Sequence, residues 1–328
     1  MLWLVGLMGV MAVGAVAFVD TASADDNTDD APEAPTEPQD DTTPQSASGE
    51  DYDGGDPDGG EIISGSELDD DIDGSAGDDQ IAGLAGDDTI DGHEGDDDIY
   101  GNDGTDDLFG GEGDDTLHGD DGDDAIRGGA DDDDLVGHND GDALYGEGGN
   151  DSLNGSAGDD LLDGGAGDDV LHGGLDNDRL FAGAGSDTLF GGEGDDLVVG
   201  LDDDAEGEAD YLNGGTGDDT LVAGSGDIVT AGQGKDTIVL GDWVRDGSAV
   251  EIMDYDSEDD SLVLVWDDSD AEAEMPPITL EPDPEGSGHT FVRLGGVVVA
   301  QVNGADITPD DIALIPLSSA YQAGFVAP

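Results

Sequence analysis

From Gly65 to Val199 the chain repeats every nine residues, through fifteen consecutive units without an insertion. Counted from its leading residue, every unit has Asp at position 6 and Ile, Leu or Val at position 8. Position 1 is Gly except at Ala182, and position 4 is Gly in eleven units, the exceptions being Leu68, Asp131, Asp140 and Asp176. Agreement of this kind over 135 residues is a structural repeat, and it commits the segment to a stack of like units. Gly110–His118, GGEGDDTLH, is representative. Such a unit is poor material for a core. Glycine loses the most backbone entropy on ordering, adjacent carboxylates repel, and one aliphatic residue in nine buries little. Something outside the chain must help it fold.

The last three positions, such as Thr116-Leu117-His118, alternate polar, apolar, polar. In a strand this sends position 8 inward and positions 7 and 9 outward. Positions 1–6 are then expected to form a turn, with glycines at 1 and 4 giving positive φ angles and close backbone approach. Two units make one circuit with two short strands on opposite faces, and successive circuits stack about 4.8 Å apart as parallel strands do. Stacking places Asp97 over Asp79 and Asp106 over Asp88. Carboxylates that close repel strongly unless a cation lies between them.

Composition sharpens this. Lys and Arg number five against 87 Asp and Glu, a formal net charge of −82. Nucleic acid is excluded as a partner, because phosphate binding needs a basic patch. The partners must be cations. Turns offering carboxylate and backbone carbonyl oxygens suit a hard ion with six or more oxygen ligands, which fits calcium and suits the small octahedral magnesium less well. The chain has no cysteine, which excludes disulfides and thiolate sites. Zinc and copper also lack the clustered histidines they favour. His118 and His172 fall at position 9, His93 and His138 at position 2, and all read as surface decoration.

GGEGDDTLH and GGAGDDVLH resemble the Gly-Gly-x-Gly-x-Asp-x-aliphatic-x repeat of the RTX, or haemolysin-type, calcium-binding family, over residues 65–239. The resemblance implies an all-β fold, a right-handed parallel β-roll (a β-helix solenoid). It also implies Ca2+ between successive turns, held by backbone oxygens and the position 6 carboxylates, in roughly a dozen sites by the stacking count. The metal ligands are then Asp70, Asp79, Asp88, Asp97, Asp106, Asp115, Asp124, Asp133, Asp142, Asp151, Asp160, Asp169, Asp178, Asp187 and Asp196, with Asp219 and Asp236 in the later units.

Those later units are irregular. Gly200–Asn213 is five residues longer than a unit and restores Asp210 and Leu212 to positions 6 and 8. Ala223–Thr230 is one residue short, and Ala231–Val239 closes the array. Residues 240–328 carry short apolar runs, and Gly295-Gly296 between Val292–Leu294 and Val297–Val299 is a hairpin signal. This segment is expected to be a small β module capping the stack, whose last rung would otherwise expose an open edge. It also resembles caps that follow such repeats.

At the other end, residues 2–19 are uninterruptedly apolar and precede Ala22-Ser23-Ala24, a small-x-small cleavage pattern. Residues 1–24 are therefore a signal peptide or, as eighteen apolar residues just span a bilayer, a membrane anchor. No Lys or Arg precedes the run. An N-terminal run also departs from the family's usual type I export with a C-terminal signal. Residues 25–64, rich in Asp, Glu, Pro, Thr and Ser, read as a disordered acidic linker.

Catalytic patterns are missing from the sequence. His93-Glu94 leads into Gly95-Asp96-Asp97 rather than to a second histidine, and no Gly-x-Ser-x-Gly elbow occurs. Asp69, Asp71, Asp73 and Gly74 resemble the start of an EF-hand loop, but Gln80 stands where its glutamate belongs. Asp254, Asp256 and Glu258 form either one more calcium turn or a simple polar turn. The sequence thus predicts a non-enzymatic, calcium-binding protein, extracellular or at the cell surface. Its role is structural or adhesin-like with cell-surface or matrix partners, or that of an accessory or secretion module for a separately encoded enzyme. Membrane contact would run only through residues 2–19.

Overall fold

The computed structural model describes residues 59–201, 208–241, 243–244, 248–269, 275–283, 288–303 and 307–323. The expected signal or anchor, and the linker as far as residue 58, lie outside them.

Successive units alternate between two sheets. One carries Gln80–Ala85, Asp98–Asp103, Thr116–Asp121 and their successors, the other Thr89–Glu94, Asp107–Glu112, Ala125–Ala130 and theirs. Each strand pairs in parallel with the strands one circuit before and after it. Ile99 lies beside Leu117, and Leu117 beside Leu135. The fold is the expected parallel β-solenoid. Its core is two rows of position 8 side chains, Ile81-Ile99-Leu117-Leu135-Leu153 on one sheet and Ile90-Leu108-Ile126-Leu144-Leu162 on the other, all buried.

The strands are longer than predicted. Thr116–Asp121 joins positions 7–9 of one unit to positions 1–3 of the next, leaving Gly113–Asp115 as the turn. The inward-outward alternation continues through position 1, where Gly119 is buried. The φ assignment also differs. Gly110 needs no left-handed backbone, but a Cβ there would strike the Asp115 carboxylate and the Gly128 carbonyl oxygen 2.6 Å away. Position 1 is glycine for proximity. Left-handed φ falls instead at position 4, as at Gly113 (130°), and at position 2, as at Asp120 (78°) and His138 (84°). Asp131, Asp140 and Asp176, which stand where other units have the position 4 glycine, also have positive φ, at 78°, 69° and 75°. Short polar side chains tolerate that region better than others.

The array begins earlier than Gly65. Ile62–Ser64 is already a strand, pairing with Gln80–Ala82, and Ile63 is buried. The last residues of the expected linker thus form a partial rung, because Ile63 holds the phase of position 8. At the other end Val250–Ile252 and Ser261–Trp266 add a further rung to the two sheets. The predicted hairpin is present as His289–Leu294 and Val297–Asn303. Gly295 and Gly296 both have positive φ, which the tight two-residue turn demands. The second strand of this hairpin pairs in parallel with Val250–Ile252, and Ile312–Pro316 pairs with the other sheet.

Candidate metal centre

Each position 6 aspartate sits at the end of a turn, just before a strand, with its side chain directed into the solenoid. Two columns result, one along each edge. Asp70, Asp88, Asp106, Asp124, Asp142, Asp160, Asp178, Asp196, Asp219 and Asp236 form the first, and Asp79, Asp97, Asp115, Asp133, Asp151, Asp169 and Asp187 the second. All are buried, at most 5% exposed. Asp210 and Asp227 continue the second column and are equally buried. The five-residue insertion and one-residue deletion around them had obscured the phase of Asp227 in particular.

One carboxylate oxygen of each aspartate has a defined task. Asp115 Oδ1 accepts the backbone N–H of Asp97, one circuit earlier, and Asp133 Oδ1 accepts that of Asp115. With Asp70 through Asp196 as donors these bonds are 2.7–2.9 Å long. A second ladder, unforeseen from the sequence, runs through exposed position 5. There the polarity is opposite, Asp114 N–H donating back to Asp96 Oδ1 at 3.1 Å and Asp132 N–H to Asp114 Oδ1 at 3.1 Å. The signal for it was present in the recurrence of Asp or Asn at that position.

The other oxygen of the buried carboxylate is different. At Asp70 and Asp79, Oδ2 accepts the N–H of Ser66 and Ser75 at 2.6 and 2.5 Å. From Asp88 through Asp196, and at Asp219 and Asp236, Oδ2 is buried without a hydrogen-bond partner among the described residues. A buried anionic oxygen without a partner is costly. Burial accordingly pushes these carboxyls up, to about 6 at Asp97, Asp124, Asp160, Asp187, Asp196 and Asp236. It reaches about 7 at Asp106, Asp115, Asp169 and Asp219, and about 8 at Asp133, Asp142 and Asp178. Asp88 and Asp151 are raised too. The amide bond to Oδ1 opposes the shift, and neighbouring carboxylates reinforce it.

These residues fit a hard cation. Unpartnered carboxylate oxygens stand in a repeating row beside turn backbone, and oxygen donors are what calcium takes. Among the described residues no group of three or more His, Asp or Glu side chains is arranged to hold a metal ion. One carboxylate per turn means that backbone carbonyls would have to complete the ligand set.

Asp254 accepts the N–H groups of Ala231 and Gly232, and Asp256 Oδ1 accepts the N–H of Glu258. Asp260 ends the first column, accepting from Asp236 N–H at 3.2 Å. The histidines do not stay apart as expected. His118 and His138 meet, Nδ1 to Nε2, at 3.1 Å. Their separation of twenty residues, from position 9 to position 2, reduces to a diagonal across neighbouring strands.

A parallel β-solenoid of stacked nonapeptide turns, with buried aspartates and no buried Lys or Arg among the described residues, defines the class: an acidic nonapeptide-repeat protein. A family model described as RTX calcium-binding nonapeptide repeat (4 copies) matches residues 64–99, 100–135, 136–171, 145–180, 172–205 and 204–238, more than half of the 328-residue chain. The chain belongs to the RTX calcium-binding nonapeptide repeat family. Comparison with curated proteins gives no match. Among solved structures, the extracellular lipase LipA from Serratia marcescens aligns at 18% identity over 78% of this chain and 40% of that one. The TM-score is 0.25, too low for that likeness to carry an argument.

Proposed function

We propose that the two columns, with Asp210 and Asp227 included, are the protein's calcium ligands, and that at neutral pH the solenoid folds only when calcium is present. One observation carries this reading: the run of buried Oδ2 atoms, Asp88 to Asp196, with no donor among the described residues. When bound, calcium supplies the positive charge these oxygens lack. The chain does the rest. The Oδ1–amide ladder fixes each carboxylate, the position 1 glycines let it approach the backbone, and the position 8 rows keep the circuits in register. Binding free energy is then folding free energy, and sites as weak as about 10⁻⁴–10⁻³ M suffice where calcium is millimolar. Supported by the apolar N-terminal run and the calcium requirement, the working compartment is extracellular or the cell surface. There the protein acts as a non-catalytic structural or adhesin-like element.

Circular dichroism with and without calcium at neutral pH tests this. The strand signal is expected to vanish in chelator and return cooperatively on adding calcium. An equal strand signal in excess chelator overturns the proposal. For the role, retention of the protein on cells producing it is expected. Co-purification with a catalytic partner in calcium would instead establish an accessory function.

A further inference from the structure

Outside the turns, the exposed face of one sheet carries a compact group of nitrogen donors. His118 lies between Tyr100 on the preceding strand and His138 on the following one. Its ring stacks on Tyr100 at 4.8 Å between centroids with an 11° interplanar angle, and faces His138 at 5.3 Å and 26°. The register explains the geometry. Tyr100 pairs with His118, and Asp120 pairs with His138. The left-handed φ of Asp120 and His138 is shared, so both side chains leave the sheet in the same way. His138 Nε2 is 3.1 Å from His118 Nδ1 and 3.6 Å from Asp120 Oδ1.

We propose that His118 Nδ1 and His138 Nε2 form a two-imidazole chelate for a divalent transition-metal ion, separate from the calcium turns. Two nitrogens each about 2.0 Å from one ion, in tetrahedral or cis positions, lie about 2.8–3.4 Å apart. The observed 3.1 Å falls in that range. Without metal, one ring donates its single N–H to the facing nitrogen of the other. On metal binding that proton passes through solvent to the same ring's far nitrogen, so that both rings are neutral and both facing nitrogens offer a lone pair. Imidazole donors favour copper, nickel and zinc over calcium, with copper strongest. Tyr100 holds the His118 ring, Asp120 Oδ1 sets negative charge 3.6 Å from His138 Nε2, and solvent completes the coordination, as both rings are only half-buried. No other histidine is so placed. His93 contacts the carboxylates of Asp91 and Asp73, His172 stacks on Phe190, and His289 meets Gln301.

The experiment uses the full chain saturated with calcium and titrated with Cu2+, read by calorimetry and by paramagnetic resonance. One tight Cu2+ per chain with coupling to two imidazole nitrogens is expected. His118→Ala or His138→Ala should each weaken binding about a hundredfold, the advantage of a second donor on one rigid scaffold. Coupling should fall to one nitrogen. Asp120→Asn should cost about tenfold by removing the negative charge beside the ion, and His172→Ala nothing. Native affinity in His118→Ala, or a native spectrum without two-nitrogen coupling, overturns the proposal. Should either variant lose its calcium-dependent strand signal, Zn2+ added to the native protein decides: the His118 and His138 imidazole resonances must shift together while that of His172 stays. These readouts do not depend on where calcium binds, so this proposal and the calcium reading fail separately.

Discussion

A rung of the array buries two aliphatic side chains and two aspartates, as in Leu108, Leu117, Asp106 and Asp115. The rung formed by Val250–Ile252 and Ser261–Trp266 buries Val250, Ile252, Leu262 and Leu264 and no carboxylate. The pairing is parallel in both. In the closing segment, moreover, apolar packing extends to the outer face of a sheet, where Val222, Val239, Val263, Val265 and Ala320 cluster. Trp243 donates its indole N–H to Ala223 O at 2.9 Å, fastening this segment to the array. Asp260, which ends the first column, and Asp254 beside the array sit at or near the surface. One backbone geometry therefore supports two kinds of interior. The closing rung is completed by its own side chains, and the repeated rungs are left in need of charge.

The largest expected effect breaks the repeated rungs wholesale. In chelator, buried carboxyls whose folded-state values rise to about 6–8 from an ordinary 3.8 favour the folded chain when protonated. Their contribution is fully present below about pH 3.8 and is lost as pH rises through 6 to 8. Metal-free protein should therefore gain strand signal near pH 4–5 and lose it by pH 8, a reversal absent with saturating calcium. A pH-independent signal in chelator would contradict the charged interior.

Single-residue effects follow in decreasing order. In saturating calcium, Leu117→Ala should cost about 2–5 kcal/mol in denaturant titration, since both stacked neighbours, Ile99 and Leu135, lose contact. Gly110→Ala should cost about 1–3 kcal/mol, because its methyl must displace the Asp115 carboxylate or the Gly128 carbonyl. It should also raise the calcium midpoint, which a purely apolar lesion at Leu117 affects only through stability. In the closing segment, Arg293→Ala removes the exposed pair with Glu281 at 2.9 Å and should change stability by less than about 1 kcal/mol.

Much of this was legible because the array is periodic. Position 8 named the core and position 6 named the columns without knowledge of any contact. What escaped depended on the third dimension. Strand length was underestimated because a buried glycine such as Gly119 looks, in sequence, like a turn residue. Left-handed residues fell at position 2 as well as position 4, and position 2, which Asp120 and His138 occupy, carries no constant glycine to mark it. Asp227 was missed because a one-residue deletion shifts its count while the ladder, Asp210 N–H to Asp227 Oδ1, restores its place. The His118–His138 contact joins two different phases of the repeat, so a reading position by position could not bring them together.

The tolerance of that ladder has a consequence for growth and loss of sequence. Spacings of 23 residues, at Asp187–Asp210 and Asp196–Asp219, and of 17, at Asp210–Asp227 and Asp219–Asp236, are bridged by the same amide–carboxylate bond that in the regular units spans 18. A chain with such joints can gain or shed whole circuits, and even loops within them, between an unchanged first strand and an unchanged terminator. Length thereby becomes a heritable setting, adjustable in steps of about 4.8 Å per circuit, with every intermediate length a complete molecule.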